Sequence, residues 1–163
     1  MAFFYYIRYT RIEWKQERTI FVNKKAELFK TYLDARQIDS FLIDDSKQDE
    51  LNTVIFRSHI DIQGHQLPTI VVLDDSIYGM IRLLVATNAV HDGNEAAVLK
   101  YINNYNKLFK SFKYYIDDDG DLIMDTCLLF KDDDVDGEMI YAMFNVIIDH
   151  LTESYQDIMK TIS

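Results

Sequence analysis

The sequence predicts an α+β fold: an antiparallel sheet of about five strands packed against helices, in the order α-β-β-β-α-β-β-α. Three observations carry that expectation. "NTVIFRSHIDIQ" alternates apolar and polar residues, the period of a strand with one buried face. Residues 93–109 and 137–162 repeat their apolar positions at three and four, the period of a helix. The strand-like runs are joined by short stretches, which make consecutive strands antiparallel neighbours.

The elements follow in order. Residues 1–22 mix strand-like "FFYYIRY" with helix-like "IEWKQERTIF", and their structure is left open. Residues 1–23 are set apart as an N-terminal arm, and 24–163 are taken as a single domain. Asn23 can cap a helix reaching about Gln37, with Leu28, Phe29, Tyr32 and Leu33 as its apolar stripe. "SFLIDD" is a short extended piece. In the alternating run, Val54, Phe56, Ile60 and Ile62 share one face, and Arg57, His59, Asp61 and Gln63 the other. "GHQLP" turns the chain, with Pro68 acceptable at a strand start. "TIVVLDD" and "MIRLLVAT" complete a three-stranded meander.

"DGNE" opens the next helix, with Asp92 as N-cap and Glu95 three residues on. Val98, Tyr101, Ile102, Tyr105, Leu108 and Phe109 give it one face. Strands from Phe112 to Ile116 and from Leu122 to Phe130 flank "DDGD", where Asp119-Gly120 suits a turn of positive φ. The last 26 or so residues form a helix roughly 40 Å long at 1.5 Å per residue. Its stripe is Ile140, Phe144, Ile147, Ile148, Leu151, Tyr155, Ile158 and Ile162. Met139, Met143 and Val146 widen the first half, which predicts burial on two sides there and on one side beyond. The far end then crosses the sheet or reaches a partner.

Composition narrows the function classes. At 163 residues and 48% apolar content, the chain can build one core without disulfides or metal. Single Cys127 forms no internal bridge, no apolar run is long enough to cross a bilayer, and "MAFFYYIRYTR" is a poor signal peptide. The expectation is a cytoplasmic protein that is not membrane-bound. Residues 1–25 carry six basic and two acidic side chains, a net +4, leaving −14 for the rest of a chain whose total is −10. An acidic body repels nucleic acid and favours basic partners.

Candidate sites were weighed by spacing. In "KDDDVDGEMI", Asp132, Asp134, Asp136 and Gly137 fill positions 1, 3, 5 and 6 of a twelve-residue calcium loop. Position 12 requires a bidentate Glu and is Met143, and a strand precedes the loop where a helix belongs. The same carboxylates fit better as the N-terminal cap of the last helix. His59, His65, His91 and His150 lack metal-ligand spacing, and Cys127 alternates in a strand as a packing residue. No GxSxG, P-loop or GxGxxG motif is present, and no carboxylate pair stands out as acid and base. The reading is no enzyme, with no catalytic residues, cofactor or metal.

The stretch "LKYINNYNKLFKSFKYYIDDDGDLIMDTCLLF", followed after an acidic gap by "GEMIYAMFNVIIDHLTESYQDI", resembles the C-terminal half of the YbjN-like family of bacterial sensory-transduction regulators. The features in common are a helix ending in an Asn-containing "INNYN", a hairpin with an acidic-glycine turn, and a long final helix. The resemblance covers about residues 24–162, more loosely in the first half. It implies a fold similar to type III secretion chaperones, often dimeric, binding extended protein segments without ATP, and it carries no catalytic residues.

The function expected is therefore a non-catalytic, chaperone-like regulatory module, homodimeric, with a protein partner of unknown identity. Its expected contacts are outward-facing strand positions and a seam at Tyr155, Ile158 and Ile162. The alternative is an acidic immunity- or antitoxin-like inhibitor of a basic protein.

Overall fold

The computed structural model describes residues 23–45, 49–131 and 134–163. The N-terminal arm up to residue 22 and Asp132 of the acidic run lie outside the described residues. Three helices and six strands follow one another as α1 (Lys24–Ala35), β1 (Leu42–Asp44), β2 (Val54–Ile62), β3 (His65–Leu73), β4 (Tyr78–Ala86), α2 (Glu95–Leu108), β5 (Lys113–Ile116), β6 (Leu122–Leu129) and α3 (Gly137–Ile162). The fold is α+β, and the sheet is antiparallel throughout in the order β1-β2-β3-β4-β6-β5. The extra strand is the short extended piece of "SFLIDD", which pairs Leu42–Asp44 with Ile55–Arg57 at the sheet edge. Three residues are too few for alternation to reveal.

Turns set the register. Ile62 pairs with His65, so the β2–β3 loop is Gln63-Gly64 alone, both with positive φ (55° and 85°). That is the backbone a two-residue hairpin of matching twist demands. The turn therefore comes earlier than "GHQLP" suggests, and Pro68 sits within β3 opposite His59. The β3–β4 ladder begins at Thr69, just after the residue with no N–H to give. Gly120 (φ 81°) makes the β5–β6 turn as expected, and the Asp117 carboxylate accepts from the backbone N–H groups of Asp119 and Asp121.

Caps explain the helix starts. Asn23 accepts from the Ala26 N–H at 2.8 Å, and Asp136 accepts from the N–H groups of Glu138 and Met139 at 2.9 and 3.2 Å. The Asp136 carboxylate is a helix cap. At α2 the structure departs from expectation: the N-cap is Asn94, not Asp92. Asn94 makes no side-chain cap bond, because its amide is committed elsewhere. Its Oδ1 takes the His91 N–H, and its Nδ2 donates to the carbonyls of Ala89 and Ile162.

One face of the sheet and the three helices enclose the core. Val54, Phe56, Val71, Leu73, Ile81, Leu83, Leu122 and Met124 meet Phe29, Leu33, Val98, Ile102, Ile140, Phe144, Ile147 and Leu151. Long α3 begins beneath α1. It then passes the β2–β3 turn, where Gln63 donates to the Thr152 carbonyl and Gln156 donates to Gln63. It ends on the β4–α2 connection, where Ile162 takes the Asn94 amide. Burial along α3 is the reverse of the expected taper. Met139 and Met143 are only half-buried and Val146 is exposed, while His150, Leu151, Ser154, Tyr155 and Ile158 are buried. Ile140, Phe144 and Ile147 still reach the core from the first half, but the residues beside them, Met139, Met143 and Val146, are left without a second layer to cover them among the described residues.

That first contact is close. The Gly137 backbone lies against the Tyr32 ring, so a Cβ there would stand 2.6 Å from each Cδ atom. Tyr32 also packs on Tyr141 (5.8 Å between centroids) and lies under the Arg36 guanidinium. Arg36 in turn pairs with Glu138. Gly137→Ala gains helix propensity but forces the ring out of this set. The expected result is a net loss of about 1–2 kcal/mol, as for overpacked sites, read as a lower urea midpoint with unchanged slope.

Candidate protein-contact face

The sheet's second face meets no helix among the described residues, and its cross-strand register gives it ordered rows. A central row runs Leu42, Arg57, Ile70, Arg82, Asp125, Lys113 from edge to edge. Arg82 binds Asp125 with two bonds, Nε to Oδ1 at 2.8 Å and a terminal nitrogen to Oδ2 at 2.7 Å, and Arg57 reaches Asp44 at 2.9 Å. The hydrogen bonds that Arg82 donates to Asp125 hold its guanidinium above its usual pKa, against the opposing effect of burial. Planar bidentate geometry is what makes such a pair rigid. This row is a charged rim with its charges paired.

Beside that rim the face turns apolar. The next row is Ile55, Val72, Met80, Cys127, and beyond it Tyr78 stands opposite Leu129. Val72, Tyr78, Met80, Cys127, Asp74, Ser76 and Asp125 border a shallow depression of about 350 Å³. At its outer corner Ile77, Tyr78 and Leu129 are 58%, 52% and 66% exposed. Tyr78 and Leu129 are cross-strand neighbours, and exposed Ile77 precedes them in the turn, so this end of the sheet leaves more apolar surface in water than scattered single residues do.

Among the described residues, the backbone at this corner is also short of a neighbouring strand. β5 pairs with β6 only as far as Asp125. Phe130 donates its N–H to Ile77, so alternate residues Leu129 and Cys127 turn their N–H and C=O away from β4, past the end of β5. Farther along that edge, Asn106 of α2 accepts from the Tyr114 N–H at 2.8 Å and donates to the Tyr114 carbonyl at 3.0 Å, mimicking a neighbouring strand at that residue. "INNYN" thus supplies an edge-blocking amide.

The corner is held by a buried cation. Lys25 is 1% exposed, and its Nζ donates to the carbonyls of Asp74 (2.6 Å), Ser76 and Tyr78 (3.5 Å), with the Phe130 ring 5.5 Å away. Asp75 in the same turn accepts from Asn23 at 3.2 Å and Asn52 at 2.6 Å. The turn carrying Ile77 and Tyr78 is therefore tied to α1 and to the loop before β2. Lys25 had been counted with the basic arm; its charge is internal.

The expected site residues fall differently. Tyr155 and Ile158 are 4% and 0% exposed, and Ile162 is partly buried against the core. Tyr155 packs its ring 5.1 Å from that of His65. Both are used inside the chain, so the expected seam on the tail of α3 is not a surface. The outward strand positions are where the sequence placed them: Arg57, His59 and Asp61 face away from the core. Cys127, expected to be packed, is exposed beside the depression.

Among the described residues, no three His, Cys, Asp or Glu side chains converge as metal ligands would, and no helix is long and apolar enough to cross a membrane. No protein-family model matches the chain, and no curated protein matches it.

Proposed function

We propose that this chain is a non-catalytic protein-binding module, chaperone-like and regulatory, that takes an extended segment of a partner protein on the apolar corner of the sheet's second face, around Tyr78 and Leu129. The observation that carries this reading is the exposure of the cross-strand pair Tyr78 and Leu129 beside backbone groups of β6 that lie past the end of β5. An added strand would use those groups for main-chain bonds and the apolar row for its side chains, as strand addition elsewhere does. Tyrosine and methionine at the centre with paired arginines at the border is the composition of a contact surface. A cytoplasmic setting and a homodimeric state belong to the same proposal, with the pairing assigned to a surface other than the tail of α3.

The test substitutes Tyr78→Glu and Leu129→Glu together. Both side chains are largely in solvent, so thermal stability should stay within about 0.5 kcal/mol. Proteins captured from native lysate by the wild-type chain at 0.5 M salt should be lost by the double variant. Equal capture by both would overturn the assignment of this face. Capture of one basic partner, lost by the wild type at high salt, would favour the acidic-inhibitor alternative.

A further inference from the structure

Histidine 150 is the one buried histidine among the described residues. It projects from α3 into a cage formed by α2, the link to β5, and β5 itself. Ring centroids of Phe109, Phe112, Tyr105 and Tyr114 lie 4.4, 4.6, 5.4 and 5.9 Å from its own. Its Nε2 is 2.8 Å from the Tyr114 hydroxyl and 3.4 Å from that of Ser154, which donates to the His150 carbonyl at 2.7 Å.

The titratable groups facing it are Tyr105, with Tyr101 behind it, from α2 and Tyr114 from β5. The link contributes Phe109 and Phe112, and α3 contributes Ser154 at the ring and Asp157, whose charge acts on Tyr101. Burial raises the Tyr101 and Tyr114 hydroxyls far above neutrality, so both stay uncharged. Lys113, at the end of the link, has its ammonium on the carbonyls of Asn106 and Phe109. Among the described residues no carboxylate hydrogen-bonds to the ring, so an imidazolium here would lack a directly bonded counter-ion.

We propose that the contact of α3 with α2 and β5 is an acid-sensitive latch, closed by neutral His150 and released when that ring takes a proton. Protonation would make both ring nitrogens donors, so Nε2 could no longer accept from either hydroxyl. It would also place an unpaired charge among four aromatic rings. Opening would expose Tyr105, Phe109 and Phe112; the α1 contact of α3 holds no histidine, and His65, which lies on Tyr155 at the β2–β3 turn, is exposed.

The pH window follows from the same surroundings. Burial lowers His150 from 6.5 to about 4, a roughly 300-fold weaker proton affinity than in the unfolded chain. The open state therefore binds more protons between those values. Stability is intact above pH 6.5, falls as the pH drops through the window, and reaches its full loss below pH 4.

The experiment is an acid titration of the full chain from pH 8 to 3. It is followed by near-ultraviolet circular dichroism for the tyrosine cage, far-ultraviolet dichroism for the helices, and the His150 ring resonance. The near-ultraviolet signal should fall first, beginning below pH 6.5, and in His150→Phe it should persist at least one pH unit lower. An identical midpoint in the variant would overturn the latch. So would a His150 ring that titrates near 6.5 while the protein stays folded, a readout that needs no variant to fold.

Discussion

Replacing Lys25 by Met lowers stability by about 3 kcal/mol, although it exchanges a charged residue for an apolar one at a fully buried position. Composition alone would suggest the opposite sign. The methylene stem of the lysine is matched by the methionine chain, so packing against α1 and Phe130 is largely kept. What is lost is the ammonium on the carbonyls of Asp74, Ser76 and Tyr78. Hydrogen bonds to a charged group contribute about 1.5–3 kcal/mol, and an orphaned buried acceptor costs about 1–3. Those carbonyls belong to a tight turn, so they cannot all swing to solvent together. The effect should also be directional. The turn carries Ile77 and Tyr78, so the variant should weaken partner capture even at temperatures where it remains folded. Urea unfolding together with capture separates the two effects; a midpoint within 0.2 M of wild type would show that the carbonyl cage is not what fixes the turn.

Lys25 also shows where sequence reading stops. Asn23 as a cap, the β5–β6 turn at Gly120 and the extent of α3 are all local, fixed by residues within four positions of one another. Such features are legible because backbone geometry and side-chain period express them directly. Lys25 is bound to residues some fifty positions away, and nothing in "NKKAELF" distinguishes it from exposed Lys24. Asn94 is a similar case: its local role as a cap is overridden by the carbonyl of Ile162, 68 residues on. His150 was partly legible. It lies on the helical stripe between Ile147 and Leu151, and a polar residue in that position signals a buried partner, here Tyr114. The contact face was the least legible, because "TIVVL" is apolar on both sides of its strand. Only the register shows that Val72 joins Met80 and Cys127 outside while Val71 faces the core.

Ile158→Glu should unfold the chain at ambient temperature rather than dissociate a dimer. Ile158 is 0% exposed and lies in the core with Tyr155 and Leu151, on the half of α3 that crosses the sheet. Truncating such a side chain costs about 2–5 kcal/mol through lost transfer energy and the cavity left behind. A carboxylate adds the cost of a buried, unpaired charge, or of the proton it must take up to avoid one. The sum is a large fraction of the 5–15 kcal/mol that holds an ordinary domain together. Ile158→Val, which removes one methylene, should cost only about 0.5–1.5 kcal/mol and keep the fold. The readout is far-ultraviolet dichroism with light scattering on both variants. A folded Ile158→Glu protein of lower mass than wild type would mean that this face of α3 is a seam between copies after all. Loss of helical signal in Glu, with Val still folded, would place Ile158 where the packing puts it, at the base of the core.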